Sequence, residues 1–180
     1  MNYVLAISGH PSKFSRPGFL LQVLARHLHP YRVELRVAHA VDLKDCSVDT
    51  FSRLSSLLAL VRNARAVLLL APVPSDDWSG YLKALLARLP DGTFQHKPML
   101  LVGGGGFVGE IPDLERALAP ELQRLAVQLA LPSLHVGIKN WVFVEDEPPS
   151  LTTGTEARLA SALYRLCALT VEAGGLSEAA

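Results

Sequence analysis

The fold is decided by the stretch from Val4 to Arg16, which reads VLAISGHPSKFSR. Its first half is an uncharged apolar run that stops at Gly9, and a polar loop then leads to a second apolar pattern from Phe19 onward. This order predicts a buried parallel strand, a loop and a helix. Because helix N-termini attract anions, we expect the loop to bind a phosphate.

Four further segments are predicted as strands: Arg32–Val37, Ala66–Ala71, Pro98–Val102 and Ser133–Ile138. The first alternates charged and apolar residues, which is typical of an edge strand, whereas the others are apolar and indicate central strands. Leucine-rich helical patterns separate them. The prediction is therefore an α/β fold, a three-layer doubly wound sandwich around a five-stranded parallel sheet. For the strand order we take the common arrangement 2-1-3-4-5.

Two details of the second half are also predicted. Trp141 to Val144 is a candidate extension of the last strand, followed by a loop from Glu145 to Gly154. Pro120 falls inside a helical leucine pattern, and since proline cannot donate to the preceding turn, we expect a kink or a restart there.

Composition favours a small-molecule partner. The chain has 180 residues and equal numbers of basic and acidic side chains, 17 each, so no charge excess favours nucleic acid or an anionic membrane. The length predicts one domain, residues 1–175, with a frayed tail at 176–180. The two cysteines lack metal-binding spacing and the apolar N-terminus lacks a basic leader, which predicts a cytoplasmic protein.

Three loops are expected to meet at the carboxyl edge of the sheet, where doubly wound folds bind ligands. The candidate binding residues are His10, Ser12, Ser15 and Arg16 in the first loop, Pro72, Val73, Pro74 and Ser75 in the second, and Gly103, Gly104, Gly105 and Gly106 in the third. Hydroxyls and one guanidinium suit a phosphate monoester. The glycines allow close approach of a flat ring. No P-loop or dinucleotide glycine pattern is present, so the set fits FMN better than ATP.

Several of these residues have a second interpretation. His10 either contacts phosphate or is a solvated loop residue, and Ser15 with Arg16 is either a phosphate pair or a helix cap. Asp76 and Asp77 are caps for the following helix rather than catalytic acids, and Trp78 is a packing residue or a wall for the nicotinamide or flavin. The other five histidines have no metal spacing and receive no role.

The chain resembles the flavodoxin-like NAD(P)H-dependent FMN reductases, in particular the branch that supplies reduced flavin to sulfonate monooxygenases. The resemblance covers about residues 3 to 170 and rests on the joint order of several segments. These are Ile7–Pro11 with Ser15-Arg16, Ala71–Val73, Trp78–Lys83, Lys97-Pro98 before the glycines, and Ala117–Pro120.

The resemblance implies hydride transfer from NADPH or NADH to flavin N5, with no catalytic side chain required. It implies FMN as substrate as well as cofactor, a homodimer or homotetramer, and a flavin-dependent monooxygenase as a possible partner. Four positions depart from the family pattern, and two of them lie in the first loop, where His10 replaces a serine and Ser12 replaces an arginine. Pro74 replaces an aromatic residue, and Arg116 stands where the sulfonate branch has an inserted tyrosine with a π-bulge. The alternatives are a quinone, azo-dye or chromate reductase with tightly bound FMN, and a non-catalytic binding domain.

Overall fold

The computed structural model describes residues 2–10, 16–43, 48–73 and 77–175. The strands are β1 (Tyr3–Ser8), β2 (Glu34–His39), β3 (Ala66–Pro72), β4 (Pro98–Gly104), β5 (Gln128–Leu129), β6 (Leu134–Val136), β7 (Trp141–Val142) and β8 (Ser150–Leu151). The helices are α1 (Arg16–Leu28), α2 (Val48–Asn63), α3 (Asp77–Arg88), α4 (Ile111–Arg124) and α5 (Thr153–Gly175). Along the described residues, helices alternate with strands from β1 to α4, and four short strands then precede α5.

The main sheet is parallel and has the order β2-β1-β3-β4-β5, with β6 also paired to β4. This confirms the predicted doubly wound, flavodoxin-like topology. It also confirms that the second strand lies at an edge. Because β1, β3 and β4 are parallel, the loops that follow them all leave the carboxyl edge of the sheet, and the strand order reverses between β1 and β3.

Side chains alternate between two cores because the central strands are covered on both faces. On β3, Val67 and Leu69 pack with α2, α3 and α4, whereas Leu68 and Leu70 pack with α1 and α5. All four are at most 4% exposed. The uncharged runs that identified the central strands are thus explained by burial on both faces.

The fifth strand differs from its prediction because it is broken into two pieces. β5 pairs with Pro98 and Met99, and β6 pairs with the end of β4 from Val102 to Gly104. Pro132 lies in the gap, where it has no amide proton to give to the sheet. The prediction captured β6 and missed β5.

The predicted extension of this strand from Trp141 is wrong. A 3-10 turn, Ile138–Asn140, ends the strand, and Asn140 Oδ1 accepts a hydrogen bond of 2.8 Å from the Gly137 amide. Trp141–Val142 instead pairs antiparallel with β8, which lies inside the segment predicted as a loop. α5 begins at Thr153, within that same predicted loop.

Pro120 does not restart its helix. α4 is α-helical at every position from Ile111 to Arg124, and Pro120 lies on its exposed side. Only the amide proton of that residue is lost, and the buried stripe, which includes Leu114, Leu118 and Leu122, continues past it.

Candidate functional site at the carboxyl edge

The ends of β1, β3 and β4 are joined by backbone hydrogen bonds at one edge of the sheet. The Gly9 amide donates to the Leu70 carbonyl at 2.8 Å, and the Val73 amide donates to the Gly104 carbonyl at 2.9 Å. The structure therefore brings together the three loops that composition had singled out.

The first loop leaves β1 through a tight turn. Ser8 is buried, and its Oγ accepts a hydrogen bond of 3.3 Å from the His10 amide. Gly9 leaves little room for a side chain, because a Cβ there would lie 3.1 Å from Leu82 Cβ and 3.2 Å from Pro72 Cδ. These contacts place His10 beside the end of β3.

The predicted phosphate ligands are only partly covered by the structure. Ser12 and Ser15 lie outside the described residues, and Arg16 is described as the first residue of α1 without its side chain. The first turn of α1 carries no acidic residue, so nothing in that turn opposes an anion at the helix start. Their role as phosphate ligands stays a prediction.

The second loop is described through Val73, whereas Pro74 and Ser75 lie outside the described residues. Pro72 ends β3 and is partly exposed at the edge. Val73 is only 5% exposed and packs into the core on the α4 side. Its side chain thus packs against the glycine loop from the core side.

The four glycines from Gly103 to Gly106 differ in the space around them and in their backbone conformation. A Cβ at Gly103 would overlap Ile111 Cδ1, and Gly105 and Gly106 adopt positive φ angles of 94° and 50° close to the Val73 backbone. These three positions need glycine for packing or for backbone conformation. Gly104 is the exception, since a Cβ there would come no closer to the surrounding protein than 3.9 Å, from Ala71 O.

The side of Gly104 that is open faces a small recess, which we call the edge recess. It is lined by His10, Leu20, Leu70, Ala71, Pro72, Val102 and Gly104. Its walls are mostly aliphatic, and none of the lining residues is acidic. The recess has a volume of only about 10 Å³, so it can accept the edge of a flat aromatic ring but not the whole ring. These residues fit FMN as an apolar contact surface for one edge of its ring system.

His135 is a residue of the site that the sequence analysis missed. Its Nε2 donates a hydrogen bond of 2.7 Å to the Gly105 carbonyl, while the Gly105 amide donates to the Val136 carbonyl at 3.0 Å. A carbonyl oxygen only accepts, so Nε2 carries the proton. His135 pairs across the ladder with Gly103, but this register is invisible in the sequence because β5 and β6 are interrupted.

Lys97, from a motif of the resemblance, and Arg116, a departure from the family pattern, both lie outside the site. Lys97 stands at the opposite edge, where its Nζ donates to the carbonyls of Arg62 and Ala64 at 2.7 and 2.8 Å and ties down the end of α2. Burial lowers the pKa of Lys97. Arg116 forms an exposed ion pair with Asp113 on α4, and no π-turn interrupts that helix.

Among the residues that the structure describes, no helix has the length and apolarity to span a membrane. Within the same ranges, no three histidine, cysteine, aspartate or glutamate side chains gather as a metal site.

Comparison with known proteins identifies the family. The sequence model for NADPH-dependent FMN reductases matches residues 2–131. The chain is 30% identical over 166 residues to an FMN reductase (NADPH) of Pseudomonas putida, covering 89% of this chain and 84% of that protein. It is 28% identical over 172 residues to an FMN reductase (NADPH) of Escherichia coli, covering 89% and 85%.

Among solved structures, an oxidoreductase from Corynebacterium diphtheriae superposes with a TM-score of 0.72 at 15% identity, covering 96% of this chain and 98% of that one. This likeness supports the fold. The sequence matches go further: the chain belongs to the NADPH-dependent FMN reductase family and is an NAD(P)H:FMN oxidoreductase with a flavodoxin-like fold.

Proposed function

We propose that the chain transfers a hydride from NADPH to FMN seated at the edge recess and then releases reduced FMN to a small acceptor or to a flavin-dependent monooxygenase. The observation that carries this proposal is the meeting of three loops beside Gly104, where no protein atom lies within 3.9 Å of the position a side chain would take and the edge of a ring can approach the backbone. FMN, when bound, supplies the electron-accepting centre at N5.

The residues of the chain bind FMN and NADPH and orient their rings. Ser12, Ser15 and Arg16 are proposed to hold the phosphate at the start of α1, and Pro72 and Gly104 to contact the ring. His135 keeps the glycine loop in place through the Gly105 carbonyl. A hydride transfer needs no protein acid or nucleophile, so the rate depends on how precisely these contacts align the two rings.

A titration followed by a turnover assay tests the proposal. FMN is added to the apoprotein while flavin fluorescence is recorded, and NADPH consumption is then measured with FMN in excess. We expect saturable binding and turnover that depends on free FMN. Binding without turnover would support a non-catalytic domain. Turnover only with an added quinone and retained FMN would favour a quinone reductase.

A homodimer or homotetramer and a cytoplasmic location belong to the same proposal. Phe51 on α2 is 80% exposed, which is unusual for so large an apolar side chain and is consistent with burial against another subunit. Sedimentation velocity at several protein concentrations would test the assembly, and a single monomer boundary would contradict it.

A further inference from the structure

A second cavity lies beyond the glycine loop, on the side of β4 away from β1. It has a volume of about 500 Å³, and its lining includes Phe107, Val108, Ile138, Lys139, Asn140 and Arg158. This volume is typical of small-molecule sites. We call it the β4/β6 cavity. We propose that it binds the adenosine 2′-phosphate half of NADPH, an inference that rests on the proposed function.

The lining combines apolar surface with positive charge. Phe107, Val108 and Ile138 are 73%, 70% and 53% exposed, which leaves apolar surface for a planar base. Lys139 and Arg158 are the charged side chains of the lining, and no aspartate or glutamate lines it. An apolar body with a phosphate is therefore the complementary ligand, since guanidinium and ammonium groups both donate to phosphate oxygens.

The segment carrying Lys139 is held in place by hydrogen bonds. Asn140 accepts from the Gly137 amide at 2.8 Å and donates through Nδ2 to Thr155 Oγ1, also at 2.8 Å. Arg158 Nη2 donates to the same Thr155 Oγ1 at 3.4 Å, so the network links Arg158 to Asn140, the residue next to Lys139. The cavity is thus largely formed before a ligand enters, which lowers the cost of binding.

The location suits a dinucleotide that must reach the flavin. Gly106 lines the β4/β6 cavity, and Gly104, two residues earlier, lines the edge recess. Two residues span at most about 7 Å, so a ligand held in the cavity can extend a nicotinamide over the glycine loop. The FMN phosphate is expected at α1, beyond β3 and β1 from this cavity, so the two phosphates do not compete.

Calorimetry with adenosine 2′,5′-bisphosphate tests the site without flavin or turnover. We expect the apoprotein to bind this probe, and to bind adenosine 5′-phosphate at least tenfold more weakly because the 2′-phosphate is missing. Arg158→Ala and Lys139→Ala should each weaken probe binding about tenfold or more, the effect of losing one charged hydrogen bond. Both residues are exposed, so folding should be unaffected.

The matched control is Arg165→Ala. Arg165 has the same charge and lies on the same helix, about 10 Å further along, and is not part of the lining. It should leave probe binding unchanged. In turnover assays with FMN, the two cavity variants should lower kcat/KM for NADPH about tenfold and leave kcat/KM for NADH within about twofold.

The possible failures are distinguishable. If the wild-type protein binds the probe but shows no NADPH oxidation, the cavity assignment stands and the proposed reductase function fails. If NADPH is oxidised but the probe does not bind, or if NADPH and NADH decline equally in the variants, the cavity assignment is overturned. The assignment would also be overturned if the two cavity variants changed only the KM of an anionic quinone. It would likewise be overturned if the cavity were buried in a dimer and the probe did not bind.

Discussion

Replacing Gly104 by alanine separates the ligand role of the glycine loop from its structural role. The added methyl would meet no protein atom closer than 3.9 Å, and the residue has no positive φ angle that would strain an alanine. Folding should therefore be unaffected or improved by about 0.4–1 kcal/mol, because alanine restricts the unfolded chain more than glycine does. The methyl would, however, project into the edge recess.

We expect the Gly104→Ala substitution to weaken FMN binding. An extra methyl in a filled site costs about 1–3 kcal/mol, which corresponds to roughly fivefold to 150-fold weaker binding. Flavin fluorescence titration would measure the dissociation constant of the Gly104→Ala variant, and urea unfolding would measure its stability. NADPH oxidation at saturating FMN should recover much of the wild-type rate.

Gly105→Ala is the matched control. The φ angle of Gly105 is 94°, and a Cβ there would lie 2.7 Å from Val73 O. Alanine at this position should destabilise the protein by at least about 1–2 kcal/mol. If Gly104→Ala folds normally and binds FMN as tightly as the wild type, the edge recess does not hold the flavin ring.

Four further predictions follow from single contacts. Arg16→Ala should weaken FMN binding by about 1–3 kcal/mol in a fluorescence titration, and an unchanged dissociation constant would remove Arg16 from the phosphate site. His135→Phe, which leaves the Gly105 carbonyl without its donor, should weaken FMN binding about twofold to tenfold; an effect on urea stability alone would make His135 purely structural. Lys97→Met should lower the free energy of unfolding by about 1–2 kcal/mol through loss of two hydrogen bonds, and a changed FMN affinity would contradict its place at the opposite edge. Burial raises the pKa of the Cys167 thiol, so alkylation mapped by mass spectrometry should be much slower in the native protein than in urea, and equal rates would refute the burial argument.

The errors of the sequence analysis concern places where distant segments decide the conformation. Trp141 and Val142 form a strand because they pair antiparallel with Ser150 and Leu151. No local sequence pattern indicates this pairing. His135 has no informative neighbours in sequence, and its role exists only because β6 runs beside the glycine loop.

The glycine run shows the same limit within a single motif. In the sequence its four members are equivalent, and close approach of a ligand is a reasonable interpretation of all of them. In the fold, Gly103, Gly105 and Gly106 are required by Ile111 and Val73, and only Gly104 has space beside it.

The strand order 2-1-3-4-5 was taken as the common doubly wound arrangement, and the structure confirms it. The sequence by itself determined the layers, the edge position of the second strand and the end of the strands at which the three candidate loops lie. These features follow from hydrophobic periodicity and from the handedness of parallel crossovers, both of which are local or general physical constraints. Only the tertiary structure decided which glycine borders a recess, which histidine holds the loop and where a second cavity with two cations lies. Those features depend on contacts between segments far apart in the chain, whose register and packing no local pattern encodes.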